Sequence, residues 1–481
     1  MRCKIPFAVP RRLVALLPVL GALAACQPTA AHRGATVLFA SGADLQSINP
    51  LLTLHPLARQ VQRYVLLTTL ARYDSALVPR PYLARDWSWS PDRRTLTLRL
   101  ARGVRWHDGA PTTARDVRWT LEAARDPVVG YPRAAELATL EAVAAADDST
   151  VTLRFAGPPG RFPDVLTDLA ILPAHLLDTV PRDRLRRAAW NERPVGNGPF
   201  RFVAHEPNRR WVFAANPDFP AALGGPPRLE RLIVVVVDEP ATKLAALTAG
   251  ELDFAGIQPA HASFVARDPA LAILSYPLLL TYGIVLNTRR APFDDLATRR
   301  RIAAAMDRRE LVDGYLYGYG TPAHGAVPPG VPGYVPVAPA SSPVEASGRR
   351  IGFELLTVGS GEAPLEQMVQ AQLREAGLDV RIRQLELSAF LARVYGAYDF
   401  DAAVLGITGD AGLAYLDPLA GLAGVTAPGS PAAAQRMFVD SVPVVFLYHA
   451  RGLQGMNRRV HGVTMDLRGE LPTVHDWWVE P

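Results

Sequence analysis

Continuous apolar runs along the chain predict buried strands. Residues 36–41, 232–237 and 444–448 are short runs with few polar interruptions, a pattern typical of strands that are covered on both faces. Each run is far shorter than the stretch of about 20 apolar residues that crosses a bilayer as a helix. The pattern therefore indicates a sheet inside a globular chain.

Alternating positions predict antiparallel strands in the first third of the chain. Residues 87–89 and 96–100 alternate between apolar and polar side chains on either side of a Ser90-Pro91-Asp92 turn. Residues 151–155 repeat this alternation. We expect a β-hairpin followed by a further strand.

Helical spacing and capping residues predict helices between the strands. Residues 51–70 carry apolar side chains at helical spacing. Thr113 and Asp116 are spaced as a capping box, and so are Asp307 and Glu310. Each of these two pairs should open a helix.

Strands and helices alternate in two places. Residues 232–237 lead into a helix that should end near Gly250, and residues 351–357 lead through a helix over 365–376 into a strand over 380–385. The second strand-helix-strand order implies a parallel pair. The pattern predicts the α/β class.

The first 25 residues have the features of a secretory signal. An apolar run over residues 13–22 follows a basic start, and small residues precede Cys26. The bases in this start are Arg2, Lys4, Arg11 and Arg12. Leu23-Ala-Ala-Cys26 resembles the bacterial lipobox, which implies cleavage before Cys26 and lipidation of its thiol. An ordinary signal with a cysteine at its end is the alternative.

Cysteine use agrees with an acylated N-terminus. The chain has two cysteines, Cys3 and Cys26. After cleavage only Cys26 remains, so the mature chain cannot form an internal disulfide. Acyl chains on Cys26 would hold the protein at a membrane surface.

Composition and charge exclude several classes of protein. Hydrophobic residues make up 49% of the chain and charged residues 20%, which is a globular composition. The formal charge is +5, and the signal carries four of the bases and no acid, which leaves about +1 on the mature chain. We therefore expect no nucleic-acid partner.

A series of motifs resembles one family. The series begins with Gly103-Val-Arg-Trp-His-Asp-Gly109, Pro194-Val-Gly-Asn-Gly-Pro-Phe200 and Asn216-Pro-Asp-Phe219. It continues with Gly250-Glu-Leu-Asp253, Leu286-Asn-Thr288, Pro292-Phe-Asp294, Ala305-Met-Asp-Arg308 and Gly318-Tyr-Gly-Thr-Pro-Ala323. In this order, over about residues 40–325, the motifs resemble the family 5 extracellular solute-binding proteins of peptide and nickel ABC importers. We assign the motifs themselves to folding, with Trp106 and Trp119 in the core.

The resemblance implies a two-lobed periplasmic-binding-protein fold of the class II, or cluster C, type. It implies an extra subdomain on the first lobe and hinge closure of the lobes on a ligand. The expected divisions are a signal over 1–25, a lipidated tether over 26–34, the first lobe over 35–75 and 186–278, the subdomain over 76–185, the second lobe over 279–458 and a return to the first lobe over 459–481.

The second lobe departs from the family pattern. Residues 327–348 read as a loop or linker, and residues 339–348 are too few to hold a helix that the family places there. Residues 424–430 pass almost directly to residues 435–446, where the family has a longer segment. We expect a shortened second lobe with an altered pocket.

Family peptide binders hold the ligand through backbone hydrogen bonds and an acidic residue that meets its ammonium group. The resemblance makes Asp410 the candidate, with Asp417 as competitor, although the family's tryptophan near Gly406 is absent. Both aspartates have the alternative role of capping turns. Tyr282 and Asn287 are candidates for the cleft lining, with a plain strand role as their alternative.

The expected function is the capture of a solute, with an oligopeptide as the first candidate, outside the cytoplasmic membrane for an ABC permease and ATPase. The protein should be a lipid-anchored monomer on the periplasmic side of a bacterial membrane, without cofactor. A nickel chelate or another small solute, and a signalling or chaperone role without transport, are the alternatives. The ten histidines form no cluster with metal-ligand spacing.

An enzyme is not expected. The chain has no Gly-x-Ser-x-Gly motif, and Gly359-Ser-Gly361 reads as a loop. His107-Asp108 is followed by Gly109, which indicates a turn and not an acid-base pair.

Overall fold

The computed structural model describes residues 34–337, 351–426 and 429–480, and residues 35–481 belong to one compact unit. Nineteen strands are formed in the described residues: β1 (Thr36–Ser41), β2 (Ala71–Tyr73), β3 (Pro79–Pro81), β4 (Ala84–Trp89), β5 (Thr95–Leu100), β6 (Leu140–Asp147), β7 (Thr150–Phe155), β8 (Phe200–Glu206), β9 (Arg210–Ala215), β10 (Arg231–Val236), β11 (Phe254–Gly256), β12 (Leu271–Leu286), β13 (Gly320–Pro322), β14 (Ile351–Val358), β15 (Leu378–Leu385), β16 (Ala402–Thr408), β17 (Val444–Asn457), β18 (Val460–His461) and β19 (Trp478–Val479).

Helices lie between most of these strands. They are α1 (Pro56–Gln60), α2 (Ala114–Arg125), α3 (Val165–Asp168), α4 (Ala174–Leu177), α5 (Pro240–Thr248), α6 (Ala262–Arg267), α7 (Leu296–Ala305), α8 (Arg308–Tyr315), α9 (Pro364–Glu375), α10 (Leu387–Leu391), α11 (Leu416–Ala423) and α12 (Pro431–Ser441). Two π-helical segments, Val61–Leu66 and Ala392–Gly396, extend α1 and α10.

One mixed sheet of eleven strands runs through the molecule, in the order β15-β14-β16-β12-β17-β11-β1-β10-β9-β8, with β13 paired to β17. β1 lies between β10 and β11 and is parallel to both. The predicted parallel pair is also confirmed, because β14 and β15 are parallel over their full length. The strands β11, β1, β10, β9 and β8 form the sheet of the first lobe, and β15, β14, β16 and β13 belong to the second.

Two long strands join the lobes. β12 has 16 residues and β17 has 14, and they pair with each other antiparallel along most of that length. The register shifts between Pro277 and Thr281, which divides the pair into a part in each lobe. A second shift follows between Tyr282 and Gly283, so the ladder between the lobes is irregular in this region, where a hinge would lie.

Separate hydrophobic cores lie on the two faces of the sheet in each lobe. In the first lobe, Val37 and Phe39 face a large core that extends under the subdomain, while Ala40 faces a smaller core formed with α5 and α6. In the second lobe, Val285 and Ile284 likewise point into different cores. Covering on both faces explains why β1 and β10 read as continuous apolar runs.

A second sheet, β4-β5-β7-β6, forms the core of the subdomain and packs against α2. β4 and β5 are the predicted hairpin, and β7 is the predicted third strand. Thr113 and Asp116 form the expected capping box at the start of α2. The carboxylate of Asp307 caps α8 by accepting hydrogen bonds from the N–H groups of Arg309 and Glu310.

The helix predicted over residues 51–70 is wrong at both ends. It starts at Pro56, with His55 as its N-cap, and its π-helical extension ends at Leu66. Its C-terminal end is determined by distant partners. Leu66 O accepts a hydrogen bond from Gly198 N, and Thr68 N donates one to Asn197 Oδ1. These bonds draw the chain out of the helix.

Several predictions fall outside the described residues. These are the signal over 1–25, the lipidated Cys26, the tether up to residue 33 and the linker over 338–348. No helix in the described part of the chain combines the length and apolar character that a bilayer crossing requires.

Candidate functional site

A cavity of about 420 Å³ lies where the carboxyl ends of parallel strands meet the two long strands. β1 and β11 both end here, and open α/β sheets bind ligands at this edge of the sheet. The opposite wall comes from β12 and β17, next to their register shift. The polar lining residues are Ser41, His55, Gln60, Lys243, Tyr276, Gln454 and Glu470.

Glu470 carries a carboxylate that is held by neutral donors. Its Oε1 accepts hydrogen bonds from the Tyr276 hydroxyl at 2.7 Å and from Gln454 Nε2 at 2.8 Å. Burial raises the pKa of the Glu470 carboxyl, and these two hydrogen bonds oppose that rise. Among the described residues no cation lies within ion-pair distance of Glu470.

The loop that carries Glu470 is fixed by one buried glutamine. Gln60 Oε1 accepts hydrogen bonds from Glu470 N at 2.6 Å and Leu471 N at 2.9 Å. The same amide lies where a side chain at Gly469 would stand, and Gly469 has a φ of 118°. A glycine is therefore required beside Glu470, and the carboxylate is held in place before any ligand arrives.

Lys243 places an ammonium group on the same cavity. Its Nζ lies 3.3 Å from the position that a Cβ would take at Gly42, just beyond the end of β1. No carboxylate of the described residues lies within ion-pair distance of Lys243. Among the described residues, the cavity therefore carries one acidic and one ammonium side chain without an ion-pair partner.

Two further groups on the lining are set up for polar contacts. Gln454 is 4% exposed, and its Oε1 is buried without a donor among the described residues. His55 Nδ1 accepts a hydrogen bond from Ala58 N, and burial lowers the pKa of the His55 imidazole, which favours its neutral form. A neutral ring thus belongs to the lining, and the Gln454 amide is directed toward Glu470.

A close approach at the hinge shapes the wall of this cavity. The Tyr276 ring of β12 lies over Gly452 of β17, in the place that a side chain at Gly452 would take. This contact turns the Tyr276 hydroxyl toward Glu470. The geometry of the site therefore depends on both crossing strands.

The sequence-predicted residues lie elsewhere. Asp410 accepts weak hydrogen bonds from Ala414 N and Tyr415 N, both at 3.3 Å, and so caps the turn that leads into α11. The guanidinium of Arg161, from the first lobe, lies beside it and donates to Ala411 O at 2.8 Å. Asp417 is exposed in the first turn of α11.

Tyr282 and Asn287 have contacts inside the second lobe. The Tyr282 ring stacks on Tyr448 with centroids 4.9 Å apart. Asn287 is 1% exposed, and its Nδ2 donates to the carbonyls of Tyr398 and Phe400. Neither residue lines the 420 Å³ cavity.

The motif residues hold the framework, as expected. Trp106 and Trp119 are buried in the core. Asp253 is fully buried, pairs with Arg459 through two hydrogen bonds of 2.7 and 2.8 Å, and accepts from Leu38 N at 2.9 Å. His107 hydrogen-bonds to the backbone of Gly196 and Gly198, and burial lowers the pKa of its imidazole to about 4.

Sequence reasoning missed Glu470, Lys243, Tyr276 and Gln454. Lys243 had a usable signal, since it and Lys4 are the two lysines of the chain. The others are brought together by long-range contacts that no local pattern shows. The described residues hold no group of three or more histidine, cysteine, aspartate or glutamate side chains arranged to bind a metal ion.

Comparison with known protein families identifies the family of this chain. Residues 78–425 match the model of the bacterial extracellular solute-binding proteins, family 5. The chain belongs to this family. This is a family of solute-binding proteins and not of enzymes. The architecture of the chain agrees with a two-lobed fold.

Relatives of this family member include peptide binders. A Brucella ovis protein described as an ABC transporter peptide-binding protein is 31% identical over 243 residues, which are 50% of this chain and 45% of that protein. The chain thus spans about half the length of the Brucella relatives it matches. A Pseudomonas aeruginosa protein described as di/tripeptide-binding protein 5 is 27% identical over 439 residues, covering 83% of this chain and 81% of the relative.

Solved structures share the fold. The oligopeptide-binding protein AppA of Bacillus subtilis, in complex with a nonapeptide, has a TM-score of 0.72 at 22% identity and covers 93% of this chain and 99% of AppA. The substrate-binding protein CtaP of Listeria monocytogenes has a TM-score of 0.79 at 19% identity and covers 92% and 99% of the two chains. These similarities extend through both lobes.

Proposed function

We propose that the chain is the extracytoplasmic substrate-binding component of an ABC importer and that it captures a short peptide in the 420 Å³ cavity. One observation carries this proposal: the cavity lies against β12 and β17, the two strands that join the lobes, at the edge of the sheet where open α/β sheets bind ligands. The chain would bind its ligand without chemical conversion.

The chemistry of the lining supports a peptide as the ligand. A peptide offers backbone N–H and C=O groups together with two charged termini. The lining offers the acidic side chain of Glu470 and the ammonium group of Lys243. The volume falls within the range of about 300–1,000 Å³ that small-molecule sites occupy. The described functions of the Brucella and Pseudomonas relatives point to the same class of ligand.

The proposal includes the location and the partners of the protein. Cleavage before Cys26 and acylation of its thiol would anchor a monomer at the periplasmic side of a bacterial membrane. From there, the loaded protein would deliver the peptide to a permease with its ATPase. Mass spectrometry of the mature N-terminus tests the anchor independently of the ligand.

A thermal-shift screen tests the ligand class. The chain, expressed with its own leader and purified in detergent, is heated with pools of di- to hexapeptides, with Ni²⁺ in the presence and absence of chelators, and with small sugars. A ligand that binds the folded state alone raises the temperature of the unfolding midpoint. At a ligand concentration 100 times its Kd, the free energy of unfolding rises by about 2.7 kcal/mol. We expect the peptide pools to raise the midpoint.

The other outcomes separate the alternatives. A shift with a nickel chelate or a sugar, without one for any peptide, would keep a binding role and reject the peptide. The absence of a shift with every class would favour a signalling or chaperone role without transport.

A further inference from the structure

Four arginines of the segment between α4 and β8 are exposed and have no acidic partner. In this segment, residues 182–193 carry five arginines against Asp183 and Glu192. Among the described residues, no carboxylate lies within ion-pair distance of the four exposed ones. They are Arg184, Arg186, Arg187 and Arg193. Like charges so close in the chain repel one another, so the fold alone gives no reason for them.

The segment is fixed on the first lobe, so its charges have a defined position. The Arg182 guanidinium lies 4.5 Å from the centroid of the Trp119 ring, and Trp119 belongs to α2. Leu185 and Trp190 are buried in the large core. With these side chains inside, the four charged ones remain in solvent.

Two exposed apolar side chains border these charges. Arg186 Nη2 lies 3.6 Å from the position that a Cβ would take at Gly130, and Val128, two residues before this glycine, is 61% exposed. Arg186 also lines a cavity of about 660 Å³ with Thr53, and the neighbouring Leu54 is 49% exposed. The basic face is the name used below for Leu54, Val128 and the four arginines.

The cavity beside the basic face has room for a phosphate-bearing group. Arg186 and Arg193 line it together with Gln46, Ser47 and Asn191. Guanidinium groups bind phosphate oxygens through paired, charge-assisted hydrogen bonds. The volume of about 660 Å³ falls within the range of about 300–1,000 Å³ that small-molecule sites occupy. A phospholipid headgroup therefore fits beside the two guanidinium groups.

The expected anchor would keep the basic face near a bilayer. Nine residues, 26–34, separate the Cys26 thiol from the folded chain. Each spans at most about 3.6 Å, so the folded chain begins within about 32 Å of the lipidated cysteine. A tether of this length raises the effective concentration of the bilayer surface, and a contact that is weak by itself becomes populated.

We propose that the basic face rests on the anionic surface of the lipid bilayer, with its arginines at the lipid phosphates and Leu54 and Val128 among the headgroups. The inference rests on the anchored location within the proposed function, and it adds an orientation. The segment that joins β1 to α1 lines both the 660 Å³ and the 420 Å³ cavities. Docking of the basic face would therefore keep the proposed peptide site near the membrane that holds the permease.

The apolar residues of the basic face favour a bilayer over a soluble polyanion. A polyanion would be bound by the arginines alone, whereas Leu54 and Val128 gain free energy only where they can leave water, as in the headgroup region. Each arginine at an anionic lipid surface strengthens binding about fivefold. Four arginines together should strengthen it about 600-fold.

Hydrogen exchange of the anchored protein tests this orientation. The full chain, expressed with its own leader and purified in detergent, is inserted into vesicles of phosphatidylcholine alone or of equal parts of phosphatidylcholine and phosphatidylglycerol. The amides of residues 126–131 and 182–193 should exchange more slowly on the anionic vesicles than on the neutral ones. Salt at about 1 M, which shortens the Debye length to about 3 Å, should remove the difference.

Two sets of four substitutions separate the position of the charges from their number. The first set changes the basic face and should abolish the slow exchange, because docking weakens about 600-fold. It consists of Arg184→Gln, Arg186→Gln, Arg187→Gln and Arg193→Gln. The matched set changes four second-lobe arginines that are also exposed and form no ion pair with the described residues, and it should leave the slow exchange intact. It consists of Arg309→Gln, Arg374→Gln, Arg381→Gln and Arg436→Gln.

A single apolar position gives a second measurement. Val128→Glu places a carboxylate against anionic headgroups and should reduce the protection of residues 182–193. Val358→Glu, at an exposed position of the second lobe, should leave it unchanged. Thermal unfolding in detergent verifies that each variant is folded.

The outcomes also separate this inference from the proposed function. Equal exchange on neutral and anionic vesicles, or slow exchange that persists in the first set, would overturn the docking surface. Slow exchange with soluble polyglutamate but not with vesicles would assign the basic face to an acidic protein and would overturn it too. Retention on anionic vesicles alone would contradict the anchor and support the basic face, and retention on neither type would remove both. Peptide capture is measured in detergent without vesicles and would stand in every case.

Discussion

At the residue scale, the charge of its partners distinguishes an acidic residue that stabilises the fold from one that lines the candidate site. Asp253 is fully buried and meets a guanidinium, since Arg459 binds both of its carboxylate oxygens. Among the residues that the structure describes, the side chain of Glu470 meets neutral donors only. A carboxylate whose charge is matched within the protein stabilises the fold, whereas one left unmatched is available to a ligand.

Replacement of Asp253 by alanine should therefore destabilise the protein. The variant leaves Arg459 without its partner and Leu38 N without its acceptor, and breaking a pair of this kind costs about 3 kcal/mol. The measurement is the free energy of unfolding in urea. Asp218→Ala is the control, because it removes an ion pair with Arg201 whose aspartate side chain is 81% exposed, and it should cost under about 1 kcal/mol. Equal losses in the two variants would show that Asp253 has no special place in the core.

The sequence revealed the residues that act locally but not those that act at a distance. Thr113 and Asp116 could be predicted because a capping box joins positions three residues apart. The partners of Glu470 are 410 residues away at Gln60 and 194 residues away at Tyr276. No local pattern carries such pairs, so the candidate site had to come from the family resemblance, which pointed to Asp410 instead.

At the element scale, a glycine-containing loop determines where the first helix ends. Gly198 has the backbone of Val65 and Leu66 within 2.6 Å of the position that its Cβ would take. Gly196 approaches the same carbonyl of Leu66 even more closely. The loop Pro194-Val-Gly-Asn-Gly-Pro-Phe200 thus packs directly on the π-helical segment, and the residue between the two glycines, Asn197, bonds to Thr68 N.

A side chain at Gly196 should force this packing apart. Gly196→Ala places a methyl group against backbone, which cannot rotate away, and overpacking of this kind costs about 1–3 kcal/mol or more. Gly421→Ala gives the opposite expectation, because Gly421 lies within α11 with open space around it and alanine stabilises helix interiors by about 0.5–1 kcal/mol. Thermal unfolding compares the two variants. A stable Gly196→Ala protein would contradict the close packing of this loop.

Periodicity predicted the strands more accurately than this helix for a physical reason. β1 and β10 match their apolar runs because burial on both faces leaves the pattern unbroken. The helix predicted over residues 51–70 had the right spacing, but its last turn is diverted by bonds to a loop about 130 residues away. Tertiary hydrogen bonds of this kind override local helical preference.

At the scale of the whole molecule, a side chain of the first lobe reaches across to the second. Arg161 lies between β7 and α3, and its Nη1 donates to Ala411 O at 2.8 Å. Its guanidinium occupies the place that a side chain at Gly412 would take, and it pairs with Asp164 of its own lobe. Tyr73 donates a hydrogen bond to Asp164 as well. The lobes therefore meet through the Arg161 guanidinium, which pairs with Asp164 in the first lobe and packs against Gly412 in the second.

This contact should favour the closed arrangement of the lobes and so strengthen ligand binding. If closure is the state that binds, the apparent Kd rises as the closed fraction falls. Arg161→Ala removes one hydrogen bond between the lobes, with a net value of about 0.5–1.5 kcal/mol, and should weaken peptide binding about 3- to 10-fold. Gly412→Val displaces the guanidinium and should act in the same direction. Small-angle scattering should give a larger radius of gyration for both variants than for the unchanged protein.

The matched control for Arg161 is another exposed arginine of the first lobe. Arg154→Ala removes an ion pair with Glu141 within the subdomain sheet, and Arg154 has no ion pair with the described residues of the second lobe. Its affinity and radius of gyration should equal those of the unchanged protein. If Arg161→Ala behaves as Arg154→Ala does, the lobes close without this contact. Closure would then rest on the hinge at β12 and β17 and on the ligand.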